Sequence, residues 1–227
     1  DFQAPRPKNP QKFPVDDSLI LAPPRKGKVE VVRGPTIVDP PDNPPLAPNV
    51  SGEATLVLGD HVSTDDILPA GRWLKHRSDV EAYARYVFAD LHPDFVQRAD
   101  AVRRRKEVNV IVAGHGYGAG SSREHAAMCP RALGVLVVVA KSFERIHMAN
   151  LINHGIVPLT FMDEADHDRI QQGDDLELPW LAAELKRSEL VTVRSHDKNY
   201  ELKVRHGLNR RQIQILLAGG LINYVSK

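Results

Sequence analysis

Residues Val108–Ala113 form an apolar run, interrupted only by Asn109, that leads into Gly114-His115-Gly116-Tyr117-Gly118-Ala119-Gly120 and then Ser121-Ser122-Arg123-Glu124. An apolar run without alternation is the pattern of a strand buried on both faces, as in a parallel sheet covered by helices. Four glycines in seven residues permit positive φ and close approach of a ligand to the backbone. The residues that follow predict a helix opening at Ser121 or Ser122 and running to about Arg131. A helix start carries unpaired N–H groups and partial positive charge, so strand, glycine turn and helix together describe an anion site. Ser121 and Ser122 add hydroxyls, and Arg123 adds a forked donor suited to a carboxylate. The glycine spacing does not fit GxGxxG, no lysine follows as in a phosphate-binding loop, and the GxSxG of a hydrolase elbow is absent. On spacing alone, an anion site and a serine that merely caps a helix both remain open.

The pattern around this segment sets the fold class. Strands are predicted at residues 54–58, 108–113, 135–140, 156–161, 176–178, 191–194 and 200–204. Helices are predicted at 80–91, 97–106, 143–153, 166–172 and 209–218, the last stopped by Gly219-Gly220. Strands alternating with helices in the middle argue for α/β layers with a partly parallel sheet. The β-rich tail argues against a simple doubly wound fold. Residues 1–50 differ: twelve of the 17 prolines lie there, which excludes a helix or central strand. They predict an extended arm or linker between domains, with short apolar pieces at 19–21 and 29–32, and residues 51–227 form the folded domain. A disordered tail is the competing reading of the arm.

Composition narrows the function classes. Lys plus Arg number 30 against 29 Asp plus Glu, so any positive field is local, and nucleic acid or an anionic membrane is not called for. The single cysteine, Cys129, excludes an intrachain disulfide and a metal site built from several thiolates. It fits a reducing compartment. No apolar run reaches a membrane span.

The residues 116–127, Gly-Tyr-Gly-Ala-Gly-Ser-Ser-Arg-Glu-His-Ala-Ala, resemble the C-terminal signature of the aconitase family. Pro130-Arg131 with Leu133-Gly134, then Lys141-Ser142-Phe143, Arg145-Ile146-His147 and Asn150-Leu151, and residues 155–161 and 212–219 continue the likeness. A second segment, 59–71, resembles the family's substrate loop, and Trp73-Leu74-Lys75-His76-Arg77 follows it. The resemblance covers residues 51–225. It implies a swivelling β/β/α domain and an iron–sulfur hydro-lyase that interconverts citrate and isocitrate through cis-aconitate. Ser121 would be the base, with Asp65 beside it as a catalytic residue. Thr64, Arg77, Ser122 and Arg123 would bind substrate, and two arginines suit a tricarboxylate. Asp66 stands where many family members have histidine. His125 and His147 read as structural hydrogen-bonding residues, and Cys129 as a core thiol. The family's 4Fe–4S cluster needs three thiolates, so the resemblance places it on other domains or a large subunit, with no metal held here. It also implies that this chain alone is inactive, and a cytoplasmic location, bacterial cytosol or mitochondrial matrix. Three rivals stand beside this reading: a 3-isopropylmalate dehydratase or homoaconitase small subunit, an RNA-binding regulator, and a non-catalytic anion-binding module.

Overall fold

Val135–Ala140 is buried at every position, and Val108–Ala113 at all but its first. In the computed structural model these runs are two central parallel strands. The structure describes residues 14–23, 27, 30, 32–39, 41 and 43–226. The chain divides into two units, Asp1–Gly34 and Pro35–Lys227. Described residues of the first unit form no helix or strand, and Leu19, Ile20 and Leu21 are exposed. Much of the predicted arm, including residues 1–13, 24–26, 28, 29, 31, 40 and 42, lies outside the described residues.

The second unit is built on a closed seven-stranded barrel in the order β1-β2-β3-β4-β7-β6-β5. Strands β1 (Val50–Val57), β2 (Val108–Ala113), β3 (Val135–Ala140) and β4 (Val157–Phe161) run parallel. Strands β5 (Asp175–Leu178), β6 (Leu190–Ser195) and β7 (Tyr200–Arg205) close it antiparallel. Alternation explains the two cores. Val110, Val112, Val137, Val139, Leu159, Leu176, Val191, Val193, Leu202 and Val204 belong to one apolar cluster, joined by Leu181, Leu185, Ile215 and Leu216 from two helices. Ile111, Ala113, Val138 and Ala140 belong to the other, packed against α2 (Val80–Ala84), α3 (Phe95–Arg104) and α4 (His125–Ala132). A parallel strand must be covered on both faces. The antiparallel half leaves Arg194, Glu201, Lys203 and Arg205 to water.

Asn109 is the polar residue inside the apolar run of β2, and it is buried. Its amide donates to the Leu133 and Ala99 carbonyls at 2.8 and 3.2 Å and accepts from the Thr55 hydroxyl at 2.6 Å. One side chain thus ties β1, β2, α3 and the end of α4 together.

Two predicted helices change. The helix expected over 80–91 ends at Ala84. Phe88 takes φ of 55°, and its N–H donates to the Ile67 carbonyl at 2.8 Å instead of continuing the helix. Its ring is buried edge-on against Phe95, 5.0 Å between centroids. Tertiary burial overrides periodicity here. The segment at 166–172 becomes a short 3-10 helix, Glu164–Arg169. Helices α1 (Thr64–Ile67), α6 (Leu181–Arg187) and α8 (Leu221–Val225) were not predicted, while α5 (Arg145–Asn153) and α7 (Arg210–Leu217) were. Asn209 and Gln212 cap α7 reciprocally.

Candidate active site

The C-terminal ends of β1 and β2 deliver two loops to the same edge of the barrel, and backbone pairing binds them together. Gly114 N–H donates to the Gly59 carbonyl, His61 N–H to His115, Gly118 N–H to Val62 and Thr64 N–H to Ala119, all between 2.6 and 3.0 Å. Asp60 completes this seam by accepting from the His115 N–H at 2.7 Å. That bond holds the Asp60 carboxyl below its usual range. A Cβ on Gly114 would lie 2.0 Å from the Asp60 carboxylate, and one on Gly118 would lie 2.2 Å from the His147 ring. Gly116, Gly118 and Gly120 all have positive φ. The glycines are therefore needed for close approach and for backbone shape.

The seam brings Thr64, Asp65, Ser121 and Arg123 together. Thr64 is buried, and its hydroxyl donates to the Ser121 carbonyl at 3.1 Å. The Arg123 Nη1 donates to Asp65 at 2.7 Å, to the Leu68 carbonyl at 2.9 Å and to the Thr64 carbonyl at 3.5 Å. The Arg123 guanidinium beside Asp65 holds that carboxyl below the usual carboxylate range. Asp65 is well exposed, so the pair adds little stability, on the order of 0.5 kcal/mol. Its weight lies in orientation. Nη1 serves all three acceptors, whereas Nε and Nη2 have no bond among the described residues and are not sealed from solvent. Those two N–H groups form the side-on fork that holds a carboxylate with two parallel bonds.

Ser121 and Ser122 are exposed, and neither hydroxyl has a bond partner among the described residues. Neither opens the helix, contrary to the expectation from the sequence. The helix α4 begins at His125 with Glu124 in the N-cap position. The bridge from Ala119 to Ser63, the Thr64–Ser121 bond and the Arg123 contacts hold residues 119–123 out of helical geometry. Ser121 thus sits on a glycine loop, four residues before the first helical residue.

Arg77 is exposed, and its guanidinium has no ion-pair partner among the described residues. Its backbone is nevertheless anchored to the motif: its carbonyl accepts from the His125 Nε2 at 2.9 Å. Asp66 turns away from Arg123. Its carboxylate accepts from the Ser63 N–H at 2.8 Å and the Ser63 hydroxyl at 2.6 Å, while its own N–H donates to the Ser63 oxygen. This is a capping box for α1. The Ser63-x-x-Asp66 spacing carries that signal in the sequence.

His147 lies beneath the glycine loop. It is 2% exposed, and neither ring nitrogen has a partner. Burial pushes its pKa down to about 4, so the ring is neutral. Tyr117 meets it edge-on at 5.3 Å. Cys129 is fully buried in α4, and burial raises its thiol to about 12. Among the described residues no three His, Cys, Asp or Glu side chains gather as a metal site. With one sealed thiol, this chain's residues do not fit an iron–sulfur cluster.

A family model described as the aconitase C-terminal domain matches residues 71–164. An aconitate hydratase, mitochondrial, of Aspergillus fumigatus is 33% identical over 187 residues, covering 73% of this chain and 24% of that protein. The chain therefore spans about a quarter of the length of such relatives. A 3-isopropylmalate dehydratase small subunit 2 of Archaeoglobus fulgidus is 38% identical over 170 residues, covering 75% of this chain and 91% of that protein. The crystal structure of a 3-isopropylmalate dehydratase from Methanocaldococcus jannaschii superposes with a TM-score of 0.62 at 33% identity, covering 78% of this chain and 93% of that one. The fold is thus that of an aconitase-type C-terminal domain with a sheet of parallel and antiparallel strands.

Proposed function

Since this chain belongs to the aconitase family, as its C-terminal domain, we propose that it supplies the base and carboxylate-binding half of a hydro-lyase acting on a tricarboxylate. The observation that carries this reading is the arrangement of Arg123: Nη1 is fixed by Asp65, Leu68 and Thr64, and its Nε–Nη2 fork is open to a ligand. In this reading the fork binds a substrate carboxylate. Ser121, on the loop Thr64 supports, removes the proton from the carbon next to the one carrying the hydroxyl. Asp65 holds the fork's direction, and Ser122 donates to the substrate. Arg77 binds a second carboxylate, which favours citrate and isocitrate.

A cluster-bearing set of domains, or a large subunit, would bring the iron–sulfur group, which in this family supplies Lewis-acid chemistry at the substrate hydroxyl. Residues 1–50 would form the connecting arm, and 51–227 the swivelling domain. No helix among the described residues is long and apolar enough to cross a membrane; a cytosolic or matrix location belongs to the same reading.

A second reading has its own support. The likeness to small subunits of 3-isopropylmalate dehydratase covers nearly all of those proteins, and such a chain would assemble with a separate large one. Turnover of isocitrate, 3-isopropylmalate and homoisocitrate by the chain combined with its cluster-bearing part separates the two. Preference for isocitrate supports the tricarboxylate reading. Preference for 3-isopropylmalate assigns the second.

A further inference from the structure

We infer that His125 is a positioning residue that sets the separation of the two carboxylate-binding arginines and thereby selects substrates carrying the second carboxylate. The inference rests on the tricarboxylate reading above. His125 is the first residue of α4, two places after Arg123. Its Nε2 lies 2.9 Å from the carbonyl oxygen of Arg77. A carbonyl can only accept, so Nε2 carries the proton and donates. This bond is a side-chain link from the glycine-loop motif to the residue at the end of the second segment.

The neighbourhood fixes both ends of the link. The His125 ring packs on buried Tyr83 with centroids 5.5 Å apart. The Tyr83 hydroxyl donates to the Pro69 carbonyl at 3.4 Å. On the other side, a short 3-10 helix, Leu74–His76, ends in Arg77, whose N–H donates to the Leu74 carbonyl at 3.1 Å. Trp73 and His76 stack on Tyr86 at 3.7 and 5.3 Å. Arg77 itself is exposed. The turn that bears it is therefore stiff within itself, and the His125 bond aligns that turn with Arg123. Without the bond the turn keeps its shape, and its registration against the motif loosens to what the packing of α2 on α4 and the Cys129 contact with the Val80 carbonyl provide. A substrate holding both arginines would be affected, and one holding Arg123 alone would not.

The test compares His125→Phe, which keeps a ring on Tyr83 but removes the donor, with His125→Gln, whose amide nitrogen reaches a similar position. Both are made in the complete cluster-loaded enzyme and assayed with isocitrate and with 3-isopropylmalate, which lacks one carboxylate. Loss of one ordinary hydrogen bond raises KM about five- to tenfold. The expected result is that rise for isocitrate in His125→Phe with kcat within about twofold, since binding lost equally in ground and transition states leaves kcat unchanged. KM for 3-isopropylmalate stays put, and His125→Gln recovers most of the loss. An unchanged isocitrate KM, an equal loss with both substrates, or no recovery by Gln overturns the inference while leaving the function reading intact. Failure of the unmutated enzyme to turn over isocitrate overturns both.

Discussion

Replacing His147 with phenylalanine removes one titrating group from the floor of the glycine loop while keeping a flat ring there. His147 is 2% exposed, has no partner for either nitrogen, and its pKa is pushed down to about 4. In the unfolded chain the same ring has a pKa of about 6.5. The folded value is depressed, so below about pH 6.5 the unfolded state binds the additional proton, and stability is lost as pH falls toward the folded value. The slope is about 1.4 kcal/mol per pH unit within that window, and the loss from about pH 7.5 to about pH 5 is about 2 kcal/mol. His154 is also lowered by burial, so the wild-type slope alone is not diagnostic. Its contribution is common to both proteins and cancels in their difference. Urea unfolding of each at the two pH values gives that difference directly. The larger phenylalanine ring adds a cost of about 1–3 kcal/mol, which is the same at both pH values and drops out of the comparison. We expect His147→Phe to lose about 2 kcal/mol less than wild type on acidification. Equal losses would refute the assignment of a buried, neutral, unpaired ring.

Other substitutions test the packing and the site. Gly118→Ala puts a Cβ 2.2 Å from the His147 ring at φ of +87°. It should cost at least about 3 kcal/mol in urea unfolding, from overlap and backbone strain together. Asn109→Ala takes the side-chain donor from the Leu133 and Ala99 carbonyls and leaves the Thr55 hydroxyl only the Glu53 carbonyl at 3.1 Å, and thermal or urea unfolding should show a loss of about 2–4 kcal/mol. Asp66→Ala removes the reciprocal cap of α1 at a cost of about 1 kcal/mol, and turnover should change little because its carboxylate faces Ser63 and not Arg123.

The parts of this molecule that periodicity could reach were the strands buried on both faces. Val108–Ala113 and Val135–Ala140 have the bounds their apolar runs imply. The extent of α7 was equally legible, because Gly219-Gly220 stops it locally. What periodicity missed depends on distant partners. Phe88 leaves the helical path because its N–H and its ring are used by Ile67 and Phe95. Ser121 stays out of α4 because Thr64 and Ser63, more than fifty residues earlier, pin the segment around it. Closure of the barrel was not foreseen either: the β-rich tail was recognised, but its pairing with β1 and β4 is long-range. At the site, the grouping of Thr64, Asp65 and Arg123 came from resemblance. The division of Arg123 into a fixed Nη1 and an open fork is visible only in three dimensions.

The most direct test of the account is Ser121→Ala in the complete enzyme, with single-turnover dehydration of isocitrate and equilibrium substrate binding measured side by side. Loss of the base should lower the rate by about a hundred- to ten-thousandfold. Affinity should stay within a few-fold, because the Arg123 fork and the Thr64–Asp65 support are untouched. A rate within about tenfold of wild type, below the range for a lost base, would contradict the claim that Ser121 removes the proton.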